Sequence, residues 1–198
     1  MKVNCSTSID RRLAAAALLA LAGCATPPPL APPPTSAPPA TPTVAPPRLG
    51  WFTKIKATGD YTPVLKLRGR GYQVFRCEDT TDGLAWVYQL PDATLADDRG
   101  NLVGRHGANF TFEHNDGSRL AGKVHAWDDA PDSADLRWLL LATQSFGAGA
   151  FAGIAYVQRV NTLGGMPPAR CAAGDRGQVL RVEFSADFVF YRPTAGAK

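Results

Sequence analysis

The chain has 198 residues, 45% of them hydrophobic and 19% charged, with a formal net charge of +4. Residues 1–23 hold three of the 21 basic side chains and one of the 17 acids, so the remainder carries 18 against 16, a balance that excludes a nucleic-acid binder working by charge. From Gly50 onward the length is that of one domain, enough to bury about 70% of its unfolded surface.

In chain order, a mildly basic start with Lys2, Arg11 and Arg12 leads into "LAAAALLALA" (Leu13 to Ala22), which has no charge. This run is shorter than the about 20 residues a membrane-spanning helix needs, and it suits the apolar centre of a secretory signal. It ends in "LAGC" (Leu21 to Cys24), which resembles the bacterial lipobox. The resemblance implies acylation of the Cys24 thiol and cleavage before it. Ala25, where an aspartate would hold the protein at the inner membrane, implies the outer membrane of a Gram-negative bacterium. Acyl chains contribute about 0.8 kcal/mol per buried CH₂, so several of them anchor permanently. Between Ala25 and Pro47 the chain is uncharged and made largely of Pro, Ala and Thr. It cannot build a core and lacks amide hydrogens for helix or sheet. Extended polyproline II, rising about 3.1 Å per residue, makes it a semi-rigid spacer. The boundaries read as a lipoprotein signal peptide over 1–23, a lipid-anchored Pro-rich disordered linker over 24–49, and a single all-β domain over 50–198.

Within the domain the apolar pattern has period two. "PVLKLR" places Leu65 and Leu67 inward with Lys66 and Arg68 outward, and "LAWVYQL" aligns Leu84, Trp86, Tyr88 and Leu90. In "LRVEFSADFVF", Leu180, Val182, Phe184, Ala186, Phe188 and Phe190 share one side, and Arg181, Glu183, Ser185 and Asp187 the other. Alternation of that length means a half-buried strand. Asp82-Gly83, Arg99-Gly100 and Asn115-Asp116-Gly117 mark turns. "SADLRWLLLAT" reads either as a short helix or as a turn leading into a buried strand at Trp138 to Thr143. The fold class is therefore all-β, an antiparallel β-sandwich of jelly-roll-like or Greek-key type with little helix.

One hairpin is specified in detail. In "NFTFEHNDGSRLAGKVHA", a two-residue loop pairs Phe112 with Ala121 and sends Leu120 and Val124 to the face away from the phenylalanines. A three-residue Asn-Asp-Gly loop with a left-handed Gly117 pairs Phe112 with Leu120 and Glu113 with Arg119. The second register gathers Phe110, Phe112, Leu120 and Val124 on one face and a salt bridge on the other, and the apolar pattern selects it.

Candidate chemistry is sparse. His106, His114 and His125 lie close in sequence, but the hairpin register sends His114 and His125 to opposite faces, so no metal site is expected. "GAGAFAG" (Gly147 to Gly153) lacks nucleotide-loop spacing and reads as a flexible loop before a strand. No G-x-S-x-G elbow supports a nucleophile, and "DDAPDSAD" (Asp128 to Asp135) reads as a solvated loop. Trp51, Trp86, Tyr88 and Trp127 are aromatic platforms for sugars, with core packing the simpler role for Trp86 and Tyr88. The strand "GIAYVQRVNT" turns polar where a core strand should be clean. Gln158, Arg159 and Asn161 form either a structural network with Asp187 or Glu183, or the floor of a site. With Cys5 in the signal and Cys24 given to lipid, Cys77 and Cys171 remain; lacking C-x-x-C spacing, they read as a structural disulfide.

"VFRC" (Val74 to Cys77), the long run from Leu90 to Val124, "GIAYVQRVNTLGG", "MPPARC" and "FSADFVFY", taken in order, resemble the secreted family called domain of unknown function 3455 over about Ala57 to Tyr191. The matched positions include Gly104-Arg105-His106, the run from Tyr156 to Thr162, and both cysteines; Phe112 stands where the family usually has tryptophan, and Arg137 where it commonly has proline. The resemblance implies a secreted fold and no particular activity.

The expected function is that of an outer-membrane-tethered periplasmic or surface lipoprotein. Its membrane contact is the lipid at Cys24, its domain is a non-catalytic binding or structural envelope module, and its partner is a glycan or an envelope protein. No cofactor, metal or nucleic acid is expected. Binding candidates are His106, Gln158, Arg159 and Asn161. The alternative is an extracytoplasmic enzyme using His106 with Arg159 and an acid such as Asp187.

Overall fold

The alternating run at the C-terminus becomes the strand that closes the molecule. In the computed structural model, which describes residues 44–194, it is β8 (Val179–Pro193), with Phe184, Ala186, Phe188 and Phe190 buried along its inner row. The expected signal peptide, the expected lipidation site Cys24 and the expected linker as far as residue 43 lie outside the described residues. The other strands are β1 (Tyr61–Thr80), β2 (Gly83–Ala96), β3 (Leu102–Gly107), β4 (Thr111–His114), β5 (Arg119–Asp128), β6 (Trp138–Phe146) and β7 (Tyr156–Gly164). Each pairs antiparallel with the next, and β1 pairs with β8, so the sheet is a closed eight-stranded barrel. The fold is all-β and antiparallel, and among the described residues the helix is limited to two single 3₁₀ turns, Ala108–Phe110 and Ala173–Asp175. Inner faces pack against each other as in a sandwich. The strand order is consecutive where a jelly-roll or Greek key was expected, because the twenty-residue β1 is long enough to pair with β2 on one edge and β8 on the other. Closure leaves no free edge for a crossover strand to occupy.

Local rules account for most of this. "SADLRWLLLAT" resolves into a turn and β6. Phe112 faces Leu120 and Glu113 faces Arg119, and Gly117 sits at φ 88°, as the three-residue loop requires. The expected Glu113–Arg119 salt bridge does not form, since a solvated pair of long side chains gains little by ordering. Leu90 departs from its expected row: a bulge opposite Val74 and Phe75 turns it outward. At Gly69 an added methyl would lie 2.4 Å from a ring carbon of Phe188, so only glycine lets that ring fill the lumen.

The two ends of the barrel differ. At the end that holds the β4–β5 turn, "GAGAFAG" is a plug, where a flexible loop was expected. Phe151 is fully buried and stacks on Phe190 at 5.0 Å, its N–H donates to Ser118 Oγ (3.1 Å), and the Ala150 N–H donates to Asp116 Oδ2 (2.7 Å). Outside the barrel, Leu49 to Ala57 strap across β6 and β7, burying Ile55 against Leu140 and Val160. The opposite end stays open. Its β7–β8 connection is tied to β1 by the Cys77–Cys171 disulfide, whose Cα atoms are 6.0 Å apart.

Candidate functional site

The open end begins with the inward row of β1, where Gln73 and Phe75 follow Leu67 in phase and point into the lumen. Pairing brings Tyr88 opposite Phe75 and Trp86 opposite Cys77, so two β2 aromatics line the same wall. They are part-exposed, not the core residues first expected. On the facing wall, a bulge after Val124 brings Trp127 opposite Leu139. Phe110 completes the aromatic ring from a left-handed backbone conformation, φ 52°, which bulky residues seldom adopt. Met166 and Pro167, on the connection held by the disulfide, form the rim. The cleft so enclosed measures about 590 Å³, within the about 300–1,000 Å³ typical of small-molecule sites.

Arg159 supplies its charge. It lies opposite Leu139 and Phe188, on the inward row of β7, and is 8% exposed. Its Nε and Nη2 donate to the Arg137 carbonyl at 3.2 and 2.9 Å. Among the described residues no carboxylate pairs with it, and none lines the cleft. Burial pushes its pKa down to about 10, partly offset by Tyr88, and it stays protonated at neutral pH. Burial pushes the Tyr88 hydroxyl up to about 12, against the pull of Arg159, so the phenol is neutral. Gln73, 2% exposed, has a buried Nε2 with no hydrogen-bond partner. The second guanidinium in the wall, Arg137, lies 4.1 Å over the Trp127 ring and donates to Asp129 Oδ1 at 3.1 Å.

The candidates from the sequence part ways. Gln158, next to Arg159, faces outward beneath the strap: Nε2 donates to the Ile55 carbonyl, and Oε1 accepts from the Tyr191 hydroxyl at 2.6 Å. Asn161 is exposed at φ 50° and donates to Asp187 Oδ2 at 3.0 Å. His106 is buried in the lumen, stacked on Phe112 at 4.3 Å and edge-on to Phe188 at 5.1 Å. Its Nδ1 donates to the Thr111 carbonyl at 2.9 Å, and burial pushes its pKa down to about 4. Asp187 lies on the outer row of β8, facing Arg68 at 3.7 Å, so it cannot serve as the acid of a His106–Arg159 pair. His114 packs on Phe151 and His125 on Tyr156, each in its own surroundings. Gln73, Phe75, Met166 and Pro167 are missed by the sequence reading as site residues, and Phe110 is read there only as part of an apolar face. Gln73 left a signal, a polar residue on the inward row of an otherwise apolar strand.

A second hollow of about 530 Å³ lies under the strap, but its floor is Gln158 and Tyr191, whose polar atoms are already bonded to each other. Two buried side-chain nitrogens among the described residues have no hydrogen-bond partner: Trp138 Nε1, on the side of the strap cluster, and Gln73 Nε2, on a side chain that lines the open-end cleft.

These features define an up-and-down antiparallel barrel, plugged at one end and open at the other into an aromatic cleft with a buried cation. The chain belongs to the family described as Protein of unknown function (DUF3455), whose model matches residues 57–192. No curated protein and no solved structure matches it.

Proposed function

We propose that this protein is an outer-membrane-tethered lipoprotein whose barrel is a non-catalytic binding module, and that the open end of the barrel is its binding site. The "LAGC" stretch and the proline-rich linker support the tether. The observation that carries the binding reading is Arg159, a buried charge facing a cleft with no acid to neutralise it. Burying an unpaired cation is costly, and a fold keeps one where a ligand completes it. The rival reading, an enzyme, draws on the presence of both His106 and Arg159 in the lumen. It lacks a nucleophile and an acid, and His106 is occupied by packing and its bond to Thr111.

Native mass spectrometry of the chain isolated from its own envelope tests the binding reading. A small molecule should accompany the wild type and be lost from Trp127→Ala, whose side chain is a wall of the cleft. Equal loads on both proteins would reject the open end as the site. Lipid labelling that disappears in Cys24→Ala tests the tether.

A further inference from the structure

We propose that the cleft takes a small molecule with a planar aromatic body and a carboxylate, the carboxylate lying between the Arg159 guanidinium and the Gln73 amide. This deepens the reading of the open end as the binding site and rests on it. Two of the five guanidinium donors of Arg159 are spent on the Arg137 carbonyl, and both terminal nitrogens retain N–H groups for an acceptor. Gln73 Nε2 offers another from the same cleft with nothing to receive it. A planar, two-oxygen anion satisfies a guanidinium fork and a neighbouring amide together, which a neutral carbonyl does less well. Arg137, whose Nε donates to Asp129 and whose guanidinium lies over Trp127, adds a second positive charge to the wall and so also favours an anion.

The shape selects the body. Phe75, Trp86 and Tyr88, the first and last edge to face, form one wall, and Phe110 and Trp127 the other, so aromatic rings line the cleft on both sides. Below, the lumen is filled by His106 stacked on Phe112, with Phe188 edge-on to both. That packing fills the lumen beneath the cleft with buried rings, which disfavours an extended acyl chain. The ligand is therefore compact.

The test uses residues 24–198 carrying Cys24→Ser, with the Cys77–Cys171 disulfide formed, titrated calorimetrically with trans-cinnamate, trans-cinnamamide, dodecanoate and inorganic phosphate. Cinnamate should bind about tenfold or more tightly than its amide, the range of a buried charge-assisted pair. Arg159→Met should bring cinnamate down to the amide's affinity, and Gln73→Leu should weaken it several-fold. Equal affinity of acid and amide in the wild type, which needs no variant to fold, overturns the anion while leaving the open end as a binding site. Dodecanoate or phosphate binding more tightly than cinnamate overturns the planar aromatic body. Silence from all four probes, while the envelope-isolated protein still carries a Trp127-dependent load, rejects the ligand class alone. Silence without that load rejects the site as well.

Discussion

The Arg159 guanidinium reaches the Arg137 carbonyl through both Nε and Nη2 and meets no acid among the described residues. A charge held by one carbonyl stabilises a fold poorly, because desolvation outweighs a single dipole. Arg159→Met should therefore leave thermal stability within about 1 kcal/mol of the wild type or raise it. Thermal melts followed by circular dichroism decide this. A loss of about 3–5 kcal/mol, the cost of breaking a compensated buried pair, would mark the arginine as structural.

His106 should behave in the opposite way. Its ring is sandwiched in the core and its Nδ1 is spent on Thr111, so His106→Ala should cost about 2–4 kcal/mol, as emptying a large buried side chain does. A variant as stable as the wild type would contradict the packing role and revive a functional one.

The same histidine sets a pH dependence. Folding lowers its pKa from 6.5 to about 4, so between those values the unfolded chain binds the extra proton. Its contribution is complete above pH 6.5 and is lost as pH falls toward 4, by up to about 3 kcal/mol. Asp92, Asp97 and Asp116 also have lowered pKa values, and they lose their contributions only below the ordinary carboxylate value of 3.8. His106→Phe keeps the stack and removes the proton. Its stability relative to wild type should improve between pH 7 and 4.5 in urea titrations, and a constant difference would refute the assignment.

Reduction of the disulfide should act on both fold and cleft. Cys77 and Cys171 are 94 residues apart, and closing a loop of that length stabilises by about 4–5 kcal/mol in the chain-entropy model. The same bond holds the connection that carries Met166 and Pro167. Dithiothreitol should lower the urea midpoint and raise hydrogen exchange over residues 165–178 before the strands open. Uniform exchange across the barrel would show that the bond acts on the whole fold and not on this wall.

What the sequence disclosed and what it withheld divide along contact range. The register of Phe112 on Leu120 was legible because turn chemistry and two-residue alternation are local. Closure was not, since it rests on Leu67 meeting Phe188 across most of the chain, and no local pattern encodes that pairing. Phe151 reads as part of a loop because six small residues conceal one plug; only the hole it fills reveals its role. The cleft was hidden for the same reason: Gln73, Trp86, Trp127 and Met166 come from four separate segments. Gln158 and Arg159 drew attention together as neighbours, yet alternation sends one to the strap and the other to the lumen.

Gln158 gives the last prediction, because the strap depends on it. Its amide is fully buried and both polar atoms are bonded, Nε2 donating to the Ile55 carbonyl and Oε1 accepting from Tyr191. Gln158→Leu fits a similar volume but leaves that carbonyl and hydroxyl without partners in a closed space. Each orphaned group costs about 1–3 kcal/mol. The strap has a further hold of its own, since the Thr53 hydroxyl donates to Asp128 Oδ2 at 2.6 Å, so it should loosen without releasing the barrel. Limited proteolysis should then cut the variant between residues 49 and 57, just where the linker meets the domain, while the barrel fragment stays intact. Resistance equal to wild type would mean that burial of Ile55 and the Thr53–Asp128 bond hold the strap down without Gln158.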